Sequence, residues 1–445
     1  MMLKTPGLRQ IVAAMMLLAL AACGGGSDAS SGSGSSSSSS SSTSSGGTVT
    51  LTNFTTVTVD AGPAALNTGA DAYTSTNVPY VSVTVCAPGS TTNCQTIDHV
   101  LLDTGSTGLR LEASVLNSAL LTGLTGETDA AGNGIGECYE YVDNYVFGSV
   151  RLGDFTIGGE SVSSMPLQVI GDTTGGFGTV PNSCSSSGGS NMNTVQALGA
   201  NGIIGVGLSA VDCGSTCTST STAASGGAIY YDCPSSGCSG VTTRTDTTTA
   251  PFQQLPNPVA AFATDNNGTI LELPSVAASG VATLTGTVYF GIGTETNNAL
   301  GSATVLPTND QGNVTATYNG TSLTNSFLDS GSNYYYFVDN SITQCTQTNY
   351  TGFYCPSSAL SLTPTLSGYR SGTASAAFTL YNAYSEPAAT SNAVPGIGAN
   401  PNALNFSQPI SSSFDFGLPF FFGRHVYTAI AGRTAASATG PYFAY

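Results

Sequence analysis

The sequence predicts an all-β protein built from two related halves. Two observations carry that reading. Beyond residue 48, segments of helical period give way to short β-rich runs separated by Gly, Asn and Ser clusters. One pattern occurs twice, each copy a hairpin, two apolar residues and an Asp-Thr/Ser-Gly-Ser tetrapeptide. The chain is also acidic and sparsely charged, with 25 Asp and Glu against 8 Lys and Arg, a formal net charge of −17 and 7 % charged residues in all.

That balance excludes whole classes of chemistry. A chain without a basic stripe cannot neutralise phosphates, so nucleic acid is not an expected partner. Lys4 is the only lysine, which removes Schiff-base, Ser/Lys and phosphate-loop chemistry from the body of the protein. His99 and His425 are the only imidazoles, so a three-His zinc site is impossible. Carboxylates remain as the source of acid–base chemistry.

In chain order, Lys4 and Arg9 precede the apolar run Ile11 to Ala22, too short to span a bilayer and laid out as a secretory signal. It ends Leu20-Ala21-Ala22-Cys23, which resembles the bacterial lipoprotein box. The resemblance implies a signal peptide over residues 1–22, lipidation of Cys23 and, with Gly24 rather than Asp next, an outer-membrane destination on its periplasmic or cell-surface face. Residues 23–47 are almost pure Ser and Gly, a flexible tether that cannot bury a core. No Lys or Arg lies between Cys23 and Arg110, so no basic inhibitory prosegment is visible.

With Cys23 set aside, ten cysteines remain, and export favours disulfides. Cys86 with Cys94 and Cys345 with Cys355 close short loops, and Cys138 is left for Cys184. Cys213, Cys217, Cys233 and Cys238 bracket an insertion, residues 213–238. They pair locally, nest as two rungs or, as the competing reading, hold zinc.

The first copy of the repeat alternates from Val78 to Val85, returns through Ile97 and ends Leu101-Leu102-Asp103-Thr104-Gly105-Ser106. The second alternates from Val314 to Tyr318 and turns at Asn319-Gly320, a strong hairpin signal. It ends Phe327-Leu328-Asp329-Ser330-Gly331-Ser332. Downstream of the first comes Ile203-Ile204-Gly205; downstream of the second comes Phe416-Gly417, with Asp415 where an apolar residue is expected.

At these residues the chain resembles the pepsin-like aspartic proteases, over most of residues 78–440. It is also similar to a set of uncharacterised proteobacterial lipoproteins, read as a divergent branch. Val150 to Gly159, Gly286 to Thr294, and Gly417 to Phe421 with Val426 to Thr428 resemble that family's conserved hairpins and closing strand. The resemblance implies an all-β bilobal fold with pseudo-two-fold lobes, residues 48–265 and 266–445, and an active-site cleft between them. It implies that Asp103 and Asp329 form a catalytic dyad. Thr104, Gly105, Ser106, Ser330, Gly331 and Ser332 support their loops, and Ile204, Gly205, Phe416 and Gly417 form the ψ-loop partners. Two carboxylates in contact share one proton and activate a water between them, with no metal and no cofactor. A peptide or protein substrate lies extended under a flap, for which Tyr141 and Tyr145 are the aromatic candidates. The family's Tyr-Gly-Thr/Ser-Gly flap pattern is absent, and the chain has no Trp.

Two functions follow as expectations: a membrane-anchored aspartic endopeptidase, or a catalytically silent surface lipoprotein that binds through the same fold. A monomer is expected in either case. His99 is read as a strand residue with satisfied partners, His425 as a strand-end residue, and Tyr334 to Phe337 as a core and cleft-wall strand. A serine triad through Asp98 and His99 lacks a Gly-x-Ser-x-Gly elbow. A glycosidase carboxylate pair leaves the duplicated loops unexplained.

Overall fold

The computed structural model describes residues 52–445, apart from 70–71, 143, 187–188, 220–227, 239, 247–251 and 405–411. The leader, Cys23 and the Ser/Gly tether lie outside the described residues.

The described residues are mainly β. One sheet joins 17 strands and a second joins 7, while the longest helix, Ser118–Gly123, has 6 residues. Alternation in the sequence sets the faces. In strand Pro79–Cys86, Val81, Val83 and Val85 are buried, whereas Thr84 points outward and bonds the Thr96 hydroxyl across the hairpin at 2.8 Å. Its partner, Cys94–Asp103, pairs antiparallel with it, and the Cys86–Cys94 disulfide closes the far end. Strand Val314–Tyr318 turns at Asn319 and Gly320, both with positive φ (47° and 77°), into Thr321–Leu328. That turn needs two left-handed residues, and Asn-Gly supplies them at low cost.

Each hairpin then receives an inserted strand of the same kind. Gly202–Val206 runs parallel to Cys94–Asp103 and antiparallel to Thr107–Glu112. Asp415–Phe416 runs parallel to Thr321–Leu328 and antiparallel to Tyr335–Tyr336. In both places the insertion separates two segments that are neighbours in sequence, so the chain must cross over it in a loop. Asp103 and Asp329 stand at the starts of those two loops. Ile203 pairs with Leu101, and Asp415 pairs with Phe327. Ile203 and Asp415 therefore hold corresponding positions.

Long-range pairing stitches the halves together. The first strand, Phe54–Val59, pairs over its whole length with Leu284–Phe290, and within the second half Arg424–Ala429 pairs with Gly268–Leu273. Around the second Asp loop the core is aromatic. Phe414 stacks on Phe416 at 4.2 Å and on Phe337 at 4.5 Å, and Tyr335 stacks on Phe378 at 3.9 Å. Each such ring contributes roughly 1.5–3 kcal/mol through burial. Tyr335, Tyr336 and Phe337 are all buried, as expected of a core strand.

All ten cysteines of the body are paired. Cys86–Cys94, Cys138–Cys184 and Cys345–Cys355 form, and the insertion resolves into Cys213–Cys217 and Cys233–Cys238, the local pairing. Those four thiols are therefore not available to zinc.

Candidate functional site

The two Asp loops meet and lock reciprocally. The Thr104 amide donates to Ser330 Oγ at 3.0 Å, and the Ser330 amide donates to Thr104 Oγ1 at 2.9 Å. Ser330 Oγ in turn donates to the Leu102 carbonyl at 2.7 Å. Each hydroxyl thus satisfies a buried N–H of the opposite loop, which fixes the loops at contact distance. Gly105 shows how close they are: a Cβ there would lie 2.6 Å from Asp329 Cγ. Gly205 and Gly417 play matching parts beneath. A Cβ on Gly205 would lie 2.5 Å from the Thr107 amide nitrogen, and one on Gly417 2.5 Å from the Ser332 carbonyl oxygen.

Within each loop the carboxyl is held alike. The Gly105 amide donates to Asp103 Oδ1 at 2.8 Å and Ser106 Oγ donates to Asp103 Oδ2. The Gly331 amide donates to Asp329 Oδ1 at 2.7 Å, and Ser332 Oγ lies 3.0 Å from Asp329 Oδ2. Both carboxyls are fully buried and hydrogen-bonded to each other. Burial pushes Asp103 upward, opposed by Ser106, by Asp329 and by the backbone amides. Asp329 is pushed well above the usual range by burial, then by the charges of Asp103 and Asp415. Each carboxyl is raised by burial, so the two cannot both ionise freely and the pair shares a proton.

A hairpin covers the dyad. Gly134–Glu140 and Asn144–Ile157 are its strands, and Tyr141 and Val142 lie at its tip. Tyr141 is buried, feels the Asp103 charge, packs edge-on against Tyr139 at 4.9 Å, and has a buried hydroxyl without a hydrogen-bond partner among the described residues. Val142 packs among Tyr336, Phe353, Val394 and Ile397, so the tip reaches across to the other half. Tyr145 does not join the site. It packs with Phe147, Ile229 and the Cys138–Cys184 bridge on the opposite face of the hairpin. Period-2 geometry separates it from Tyr141.

This cover is not a free hairpin. Strand Ala228–Cys233 of the cysteine-rich insertion pairs with Gly134–Tyr139 along one edge. Ser190 and Asn191 pair with Asn144 and Tyr145 along the other. Cys138–Cys184 fastens its middle.

Beneath the hairpin lies a buried charge network that the sequence pattern did not single out. Arg110, fully buried, lies 2.6 Å from Glu137 Oε1 and 3.1 Å from Asp212 Oδ2, and its guanidinium sits 3.7 Å over the Tyr139 ring. It also donates to the Thr107 carbonyl at 2.7 Å. Tyr230 donates to Asp212 while accepting from the Leu255 amide at 2.8 Å. Burial and the Glu137 charge push Asp212 well up, with Arg110 opposing. Arg110 thus ties the strand leaving the first Asp loop to the hairpin that covers it. Near the second loop, the Asn77 side chain accepts from the Val394 amide at 2.7 Å and donates to the Asn333 carbonyl at 2.9 Å, pinning that loop.

The two histidines lie elsewhere. His99, with φ of 47°, sits between Asp60 and Asp98, each at 3.4 Å, and its imidazole is raised chiefly by the bond to Asp60. His425 is exposed on its strand, 3.3 Å from Glu272.

Residues 49–445 match the family DUF3443, described as "Protein of unknown function (DUF3443)". No curated protein matches the chain. The chain belongs to the DUF3443 family.

Proposed function

We propose that this DUF3443 chain is an aspartic-type endopeptidase of pepsin-like bilobal fold, held at the outer membrane through a lipid on Cys23. The observation that carries the reading is the reciprocal Thr104–Ser330 bonding, which brings two buried carboxyls into one hydrogen-bonded pair. A water between them loses a proton to ionised Asp103 as its oxygen attacks the peptide carbonyl. Neutral Asp329 donates to the carbonyl oxygen as negative charge develops there. Collapse of the tetrahedral intermediate passes the proton to the amine leaving group, and the second product is a carboxylate. An extended peptide would lie between the Tyr141 hairpin and the paired loops, where the buried Tyr141 hydroxyl has no hydrogen-bond partner among the described residues.

The test incubates the full-length protein with a mixed peptide library from pH 3 to 7, with and without pepstatin, beside the Asp103→Asn variant. Cleavage that needs Asp103 establishes the activity, and pepstatin sensitivity adds a conventional cleft. The doubly edged, disulfide-fastened cover over two fully buried carboxyls favours a second reading, a catalytically silent binding lipoprotein of the same fold. Absence of cleavage by the folded, oxidised protein selects it.

A further inference from the structure

The second Asp loop contains a carboxyl with no counterpart in the first. Asp415 is 1 % exposed on its inserted strand, where the first half has Ile203. Its Oδ2 lies 2.7 Å from Ser332 Oγ, and that same oxygen lies 3.0 Å from Asp329 Oδ2. Its Oδ1 is buried without a hydrogen-bond partner among the described residues. A serine hydroxyl carries one proton, so Ser332 cannot donate fully to both carboxyls. In the first half Ser106 has no such competitor and gives its proton to Asp103.

We propose that Asp415 is a positioning residue that switches the outer hydrogen bond of Asp329. Neutral Asp415 donates to Ser332 Oγ and leaves the serine's proton for Asp329 Oδ2. Ionised Asp415 accepts the serine's proton, and Asp329 loses its outer donor and gains a neighbouring negative charge. The dissociated proton leaves to solvent, and the serine hydroxyl only rotates.

The surroundings suit such a switch. The titratable groups facing Asp415 are Asp329 across Ser332, Asp103 beyond it, and Tyr336 on the antiparallel neighbour. The parallel neighbour presents Phe327. Among the described residues no Arg or His forms an ion pair with Asp415. Burial accordingly holds it well above the usual carboxylate range, with Ser332 opposing.

The catalytic consequence rests on the dyad reading above, so the experiment has two arms. In the first, the full-length wild type, Asp415→Asn, Ser332→Ala and the double variant are followed by peptide cleavage from pH 3 to 9. Asparagine keeps the shape but cannot ionise. The alkaline midpoint of kcat is expected to fall by about one pH unit or more in Asp415→Asn, because Asp329 then ionises without a neighbouring negative charge, with KM within about twofold. The same exchange in the Ser332→Ala background is expected to give a clearly smaller shift, because only the through-space charge of Asp415 then remains. An Asp415→Asn profile that superimposes on wild type, or an equal shift without Ser332, overturns the proposal.

The second arm needs no activity. Infrared difference titration of wild type against Asp415→Asn should show one component of the protonated-carboxyl absorption at neutral pH that is lost in Asp415→Asn and shifts in Ser332→Ala. Identical spectra overturn the switch. If the wild type cleaves nothing, the peptidase reading fails while this arm still decides the role of Asp415. If Asp415→Asn does not fold, the Ser332→Ala band decides, and an unshifted band overturns the proposal.

Discussion

The two Asp loops share a backbone plan and differ in what lies behind them. Asp103 is backed by Ile203 and receives the whole proton of Ser106; Asp329 is backed by Asp415 and shares that of Ser332. Burial raises both, and at Asp329 the charges of Asp103 and Asp415 act in the same direction. Two loops of one backbone plan can thus give like residues unlike surroundings through one side chain in the strand behind.

The most severe way to break the comparison removes a dyad member. Asp103→Asn and Asp329→Asn are each expected to lower kcat/KM by about 10³-fold or more while thermal unfolding stays close to wild type. If both variants kept full activity, the dyad assignment would be wrong.

Next in size are two changes to the buried charges behind the first loop. Arg110→Ala strands Glu137 under the hairpin and should cost about 3–5 kcal/mol in denaturant unfolding. Ile203→Asp makes the first half resemble the second. A carboxyl buried there takes a raised folded pKa, so it binds more protons folded than unfolded. Its penalty is therefore small near pH 4 and grows as pH rises, to several kcal/mol at pH 8 in urea titrations. A penalty that does not vary with pH would show that the position admits water.

Glu112 sharpens the same point. It is buried with Oε1 unpartnered, and desolvation raises it from 4.5 to about 9. Its stability contribution is intact below about pH 4.5 and lost progressively up to about pH 9. Glu112→Gln should stabilise by about 2–3 kcal/mol at pH 7 and by about zero at pH 4. Asp212, Asp329 and Asp415, raised by burial in the same direction, make the wild type itself more stable in mild acid than at pH 8.

The smallest expected effect compares the two locking hydroxyls. Ser330→Ala removes the acceptor for the Thr104 amide and the donor to Leu102, whereas Thr104→Val removes the acceptor for the Ser330 amide. Each leaves a buried N–H unmet, at about 1–3 kcal/mol, with Ser330→Ala the larger by thermal unfolding.

Much of this was legible in the sequence, because local patterns encode local structure. The hairpins, the Asn319-Gly320 turn and the paired Asp loops announce themselves by alternation and repetition. That Thr104 and Ser330 support the paired loops was implied by the family resemblance, and the structure shows how, through their crossed amide–hydroxyl bonds. Pairings between distant segments could not be read. Nothing in Phe54–Val59 names Leu284–Phe290 as its partner, and nothing in the insertion says that Ala228–Cys233 edges the hairpin. Arg110, Glu137 and Asp212 are single polar residues whose meaning arises only when folding brings them together. Asp415 did leave a trace, a charge between Phe414 and Phe416. In the sequence it registers as a mismatch to an apolar pattern, and only the fold brings it beside Ser332. Tyr145 shows the converse, since an aromatic close in sequence to the tip faces away from the dyad.

The pairing of Phe54–Val59 with Leu284–Phe290 has a mechanical consequence. Whatever is joined upstream of residue 52 pulls on a strand already laced into the other half through six residue pairs. Tension along that strand loads its hydrogen bonds together rather than one by one. A tug at the N-terminal end is therefore shared by both halves and cannot peel the first away from the second.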